Sequence, residues 1–290
     1  MKETVLVIGG PESMKTGSLI QVAVDNPKMP CWIFDTELDV ERTARFFGGM
    51  PPNLAVVKDK AGRTATDIQG MMWGMREQVW PALVGKPEGY GAVLINMVRN
   101  IEDRAMEAIA EAKYPGGLPE AIEAAVGKND LSVNPDFTSG EWTNRNAMVN
   151  SIVVKALHRT LAHVFITTAS KRIVSIKGEK AKFFETPERL TDIWGEYGAV
   201  PDGNKDLSFN VGTCIGLDAS GLVLRRLMVS MVKDRTRVDL KHSPKFVREE
   251  LKPDEVRFAG TADQTNVFNV WKFLATRVPG WTWPLPEVAA

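Results

Sequence analysis

The stretch Thr4-Val5-Leu6-Val7-Ile8-Gly9-Gly10-Pro11-Glu12-Ser13-Met14-Lys15-Thr16-Gly17 decides the fold. A short β-branched run, two glycines and then Ser18-Leu19-Ile20-Gln21-Val22-Ala23-Val24 predict a strand, a tight loop and an amphipathic helix, in that order. Gly9 to Thr16 fits the phosphate-binding spacing G-x-x-x-x-G-K-[ST] at every position but one. In such a loop backbone N–H groups wrap phosphate, the lysine reaches the outer oxygens and the hydroxyl binds Mg²⁺. The exception is Met14, where glycine is usual because the backbone there often needs φ > 0. Methionine predicts an αR-compatible turn or a reshaped loop. A Gly-Pro turn that merely carries Lys-Thr is the competing reading.

Working outward, Asp25-Asn26-Pro27 ends the first helix, and Cys31-Trp32-Ile33-Phe34-Asp35 is a continuous apolar run ending in charge. That pattern predicts a buried parallel strand. Ligands in open α/β sheets lie beyond the carboxyl ends of the strands, so Asp35, Thr36 and Glu37 should face the glycine loop. Further strands are expected at 54–57, 91–96, 163–168, 208–217 and 222–232, with the last two forming a hairpin around Asp218-Ala219-Ser220-Gly221. Helices are expected over 64–84, 101–127 with an interruption at Tyr114-Pro115-Gly116-Gly117, 141–160 and 267–276. The tail Pro279-Gly280-Trp281-Thr282-Trp283-Pro284 should cap the core, with docking on another protein as the alternative.

At 290 residues the chain can bury a full α/β core. Its 36 basic and 36 acidic residues balance, so any nucleic-acid contact must come from a local patch. Cys31 and Cys214 stand alone in apolar runs without metal-ligand partners, and are read as buried thiols. The first strand begins almost at the N-terminus and no apolar run approaches a membrane span, which predicts a soluble cytoplasmic protein.

Nucleotide hydrolysis needs a group that activates water, and Glu37 is the candidate; a solvated glutamate ahead of a helix with Asp39 and Glu41 in its first turn is the alternative. Metal binding falls to Thr16, to Asn96 at a strand end where an aspartate is usual, and to Asp35 as a supplementary charge. Lys233, Arg235 and Arg237 alternate along a late strand and need an anion opposite, unless they simply guard a solvated edge. Lys171, Arg172, Lys177, Lys180, Lys182, Phe183 and Phe184 combine cations with aromatic rings, a composition suited to single-stranded nucleic acid. A solvated hairpin with two core phenylalanines is the rival.

Together these residues give a chain that resembles RecA-like P-loop ATPases of the kind bacteriophages encode for recombination and strand annealing, over residues 5–240. Gly10-Pro11-Glu12-Ser13 resembles the start of that family's loop, and Asp35-Thr36-Glu37 its acid, spacer and catalytic glutamate. The resemblance implies a sensor at Thr167 or Thr168, with Thr168 preferred, a DNA-binding loop at 171–184, and a Lys233-x-Arg235 pair reaching a neighbour's ATP. The implied fold is an α/β core (1–240) with a mostly parallel sheet, helices on both faces and a β-hairpin. An insertion at about 101–141 and an extension at 241–290 complete it. The implied function is ATP hydrolysis with Mg²⁺ on single-stranded DNA, in a filament or ring. A nucleotide-gated scaffold and a DNA-translocating motor are the alternatives.

Overall fold

The computed structural model describes residues 2–10, 13–126, 137–173, 186, 188–195, 197–203, 206–218, 228–235, 247–250 and 269–288. Strand β1 (Thr4–Gly9) runs through the glycine loop into α1 (Lys15–Asp25), and β2 (Cys31–Asp35) precedes α2 (Val40–Ala44). After β3 (Leu54–Val56) a continuous helical stretch comprises α3 (Ile68–Gly74), a wide π turn (Met75–Val79) and α4 (Trp80–Leu83). It starts four residues later than expected because the Asp67 side chain accepts from Gly70 N–H at 2.7 Å and caps the helix there. Strand β4 (Ala92–Asn96) leads to α5 (Val98–Lys113), α6 (Gly117–Val126) and α7 (Ser139–Val154). A capping box between Thr138 and Glu141 opens α7. The chain continues through β5 (His163–Arg172), α8 (Glu188–Trp194), β6 (Ala199–Pro201), α9 (Leu207–Asn210) and β7 (Thr213–Asp218). It closes with β8 (Met228–Asp234), β9 (Val247–Glu250) and α10 (Val270–Arg277).

The sheet order is β3-β2-β4-β5-β1-β7-β8-β9, with β6 paired to the far end of β5. Strands β3, β2, β4, β5, β1 and β7 are parallel; β8, β9 and β6 join antiparallel. This is the mostly parallel α/β sheet that the apolar runs imply. Strand alternation divides its two faces. Leu6 and Ile8 enter a core shared with α3, α5 and α7, while Val5 and Val7 enter one shared with α1, α2 and α10. Helices therefore cover both faces, as expected. Strands β7 and β8 pair antiparallel, as the hairpin signal predicts; the turn between them lies outside the described residues.

Two further strand boundaries differ from expectation in ways the neighbouring elements explain. Residues 207–210 form a helical turn, so β7 begins only at Thr213. Strand β5 runs on through Ala169-Ser170-Lys171-Arg172, because β6 supplies a backbone partner from Pro201 to Ala199. Polar residues at a paired sheet end have no apolar alternation to betray them.

The tryptophan tail caps the core. Trp271 is fully buried, meets Phe165 edge-on at 5.1 Å, and lies in a stack with Trp281 and Trp283. Its indole donates to Ser18 O in the first turn of α1 at 2.7 Å, while Asp25 at the other end of α1 accepts from the Trp283 indole and the Asn269 amide. The two ends of α1 are thus clamped by the C-terminal segment. Among the described residues, no helix is long and apolar enough to cross a membrane.

Candidate functional site

The glycine loop leaves the central strand and delivers Lys15 and Thr16 to the N-terminus of α1, at the carboxyl edge of the sheet. Gly9 is required there by space. A Cβ would sit 2.5 Å from Leu217 O and closer still to Ser13 Oγ. Nothing lies within 4 Å of a Cβ at Gly10, and Gly17 is buried inside α1. Ser13 Oγ donates to Gly10 O at 2.8 Å and closes the loop on itself. Lys15 Nζ folds into the concavity, donating to Gly9 O (3.0 Å), Gly10 O (2.6 Å) and Ser13 Oγ (3.2 Å). Burial lowers the lysine's pKa, with Glu37 and Asp39 pulling it back up. Pro11 and Glu12 lie outside the described residues.

Met14 does not take the αR-compatible turn, one of the two outcomes expected of it. It caps α1 at φ 62°, ψ 22°, the left-handed conformation a glycine would adopt. Its half-buried side chain packs beside the α1–α10 core. Leu38 (φ 56°) and Met97 (φ 55°) are the other non-glycine residues with positive φ among those described, and both stand at the same sheet edge. Each costs on the order of 1 kcal/mol, and such strain collects at functional sites.

Polar residues from the turn after β2, from β4 and from β5 meet below the loop. Thr16 Oγ1 lies 2.9 Å from Asp39 Oδ2 and 3.3 Å from Asn96 Oδ1. Asn96 Nδ2 donates to Asp39 Oδ1 at 2.9 Å, and Thr167 Oγ1 donates to Asn96 Oδ1 at 3.2 Å. Thr167 in turn accepts from Met97 N–H at 2.9 Å. Asn96 therefore reaches the loop threonine as expected. Asp35 does not: its carboxylate accepts from the N–H groups of Asp39 and Val40, both at 3.2 Å, at the start of α2. The carboxylate beside Thr16 is that of Asp39, which sequence reasoning set aside as a helix-opening charge. Alternation along β5 also separates the two threonines expected there. Thr167 faces this network, whereas Thr168, the preferred residue, points out of it, its Oγ1 donating to Asp202 O at 2.8 Å.

Glu37 is exposed just beyond β2. Partial desolvation raises its carboxyl pKa, Asp39 adds to the rise, and the Lys15 ammonium opposes it.

The late cations separate. Lys233 is buried and its Nζ donates to Ser208 O (2.6 Å) and Val211 O (2.7 Å), at the carbonyl end of α9. It is therefore committed within its own chain. Arg235 is exposed past the end of β8, level with Gly212 and Thr4. Five residues of β1 separate that level from Gly9, roughly 16 Å, beyond the reach of an arginine toward its own loop. A register shift at Cys214/Ile215 and the end of the strand break the alternation that predicted one shared face. Arg237 lies outside the described residues. So do Lys177, Lys180, Lys182, Phe183 and Phe184; Lys171 and Arg172 are exposed at the end of β5, with Lys171 3.5 Å from Asp202.

The residues present suit a magnesium nucleotide. Thr16, Asp39 and Asn96 offer hard oxygen donors, and the Gly9 turn is too tight for a side chain. Among the described residues no group of three or more His, Cys, Asp or Glu is placed to hold a metal, so phosphate oxygens and water would complete the shell.

This is a parallel α/β fold with a glycine loop and a buried polar network at the carboxyl edge of its central strands. Sequence comparison finds no matching protein family and no matching curated protein. Among solved structures, the chain is similar to an ATPase domain (12% identity, 93% of this chain and 85% of that one, TM-score 0.46). It is similar also to the RadB recombinase (12%, 92% and 90%, TM-score 0.40). A third is the N-terminal domain of zonular occludens toxin from Neisseria meningitidis (10%, 93% and 100%, TM-score 0.32).

Proposed function

We propose that this chain is a RecA-like ATPase that binds ATP and Mg²⁺ at the carboxyl edge of the sheet. The observation that carries the reading is Lys15 held inside a closed glycine loop at the N-terminus of α1, with the Asp39 and Asn96 side chains gathered around Thr16 beside it. Loop amides and the helix terminus would bind phosphate and Lys15 would exchange its loop carbonyls for phosphate oxygens, while a Mg²⁺ held beside Thr16 would supply charge neutralisation. Glu37 orients and deprotonates the attacking water. Thr167 couples this edge to β5, and through β5 to Lys171, Arg172 and the segment that follows, which grips single-stranded DNA. Arg235 completes a neighbour's site in a head-to-tail filament or ring, since its own loop is out of reach. The setting is phage recombination, annealing or replication in the host cytoplasm.

Phosphate release by the full chain tests this. Basal turnover is weak and rises with single-stranded DNA; Glu37→Gln lowers it by at least about 100-fold while nucleotide stays bound. Turnover also falls toward acid at a pH above the ordinary glutamate range, because the Glu37 carboxyl is raised. Undiminished turnover in Glu37→Gln would remove that residue from its role. One observation favours a second reading, a nucleotide-gated scaffold with little hydrolysis: Lys233 is spent on its own chain, leaving Arg235 as the described cation of that pair free to reach across. Nucleotide-dependent DNA binding without phosphate release would select it.

A further inference from the structure

The end of β4 is where the charge of a metal-positioning carboxylate is missing, and the geometry around Asn96 shows where that charge has gone. Thr16 has one hydroxyl proton and two acceptors in view, Asp39 Oδ2 at 2.9 Å and Asn96 Oδ1 at 3.3 Å. The closer is a carboxylate oxygen, so the proton points to Asp39 and the lone pairs of Thr16 turn away from it. The amide orientation is fixed independently. Thr167 Oγ1 already accepts from Met97 N–H, so its own proton must find an acceptor, which makes the facing atom of Asn96 its oxygen. The Asn96 nitrogen is then left to donate to Asp39 Oδ1 at 2.9 Å. Asn96 is completely buried, and a carboxylate in its place would meet Asp39 across that distance as a like charge.

We propose that Asp39 is the metal-positioning carboxylate of this site, carried on the turn after β2, and that Asn96 is the neutral partner that makes its charge tolerable there. The inference rests on the nucleotide reading above. One negative charge is kept beside the loop threonine, but its origin moves from β4 to the start of α2. Asp39 acts through Thr16 and the metal's water shell and is a positioning residue. Asn96 is then half of an exchange, not a weakened metal site.

The test measures ADP affinity of the full chain with magnesium and again with EDTA, the ratio being magnesium's contribution. Wild type should show about tenfold or more, near 1.4 kcal/mol. Asp39→Asn should bring the ratio below about threefold with little change in EDTA, and the exchanged pair Asp39→Asn/Asn96→Asp should restore it. Asn96→Asp alone keeps two carboxylates face to face, so its melting temperature should drop in EDTA and recover with magnesium more than wild type does. That variant decides the matter if Asp39→Asn does not fold. A folded Asp39→Asn protein with the full ratio, an exchanged pair that fails to restore it, or a wild type indifferent to magnesium overturns the proposal. A wild type that binds ADP in neither buffer overturns the nucleotide reading instead.

Discussion

Met14 offers a way to measure what the glycine loop stores. Its φ of 62° lies where an L-residue pays about 1–2 kcal/mol, and its side chain is half-buried beside the α1–α10 core. Replacing it by Ala or by Gly removes the same packing, about 1 kcal/mol for half of a methionine's burial. The two differ in the backbone. Alanine keeps the left-handed penalty, whereas glycine loses it and costs about 0.4–1 kcal/mol of extra unfolded-state entropy. Met14→Gly should therefore be more stable than Met14→Ala by about 0.5–1 kcal/mol, the reverse of their order inside a helix. The general preference of N-caps for glycine over alanine acts in the same direction. Met14→Val, with a β-branched side chain forced into that region, should fall below both. Urea midpoints of the three variants, measured side by side, give the order. An alanine variant as stable as the glycine one would mean that the loop carries no such strain, and that the positive φ at this edge is no sign of a functional site.

Two further outcomes follow from the frame. His163 is 1% exposed, its Nδ1 accepts from Glu3 N–H at 3.0 Å, and burial lowers its pKa from 6.5 to about 4. The unfolded chain then binds a proton that the native one refuses, so stability is full above pH 6.5 and declines as pH falls toward 4, by up to about 3 kcal/mol. His163→Gln, melted at pH 7 and pH 5, should flatten that decline; an unchanged pH slope would refute it. Trp271→Phe removes the indole that serves Ser18 O and should cost about 1–3 kcal/mol, read as a lower urea midpoint. No change would mean that the C-terminal segment does not clamp α1.

Much of the frame is readable in the chain because each parallel strand is an apolar run that ends at the site. Val5 to Ile8, Ile33-Phe34 and Val93 to Ile95 are fully buried on both faces, and they stop at the carboxyl edge at Gly9, Asp35 and Asn96 respectively. The site itself was only half legible. Lys15, Thr16, Glu37 and Asn96 could be placed by spacing, since motif and strand end fix them. Asp39 could not, because an acid in a helix's first turn usually meets water and the helix dipole. Only the β2–β4 register and the left-handed turn at Leu38 swing it toward Thr16. A one-residue step along β5 separates Thr167 in the network from Thr168 outside it, and motif spacing does not resolve a single residue. Lys233 misled for a related reason: period-two alternation shows which residues share a face, not whether a neighbouring helix end has already claimed the charge.

Calorimetric titration of the full chain with a non-hydrolysable ATP analogue and magnesium, repeated on Lys15→Ala, bears most directly on the account. The glycine loop with Lys15 at its centre predicts saturable one-to-one binding that weakens at least about 100-fold, near 2.7 kcal/mol, in a variant that still melts cooperatively. Heats that are absent from the wild type, or identical in the two proteins, would contradict it.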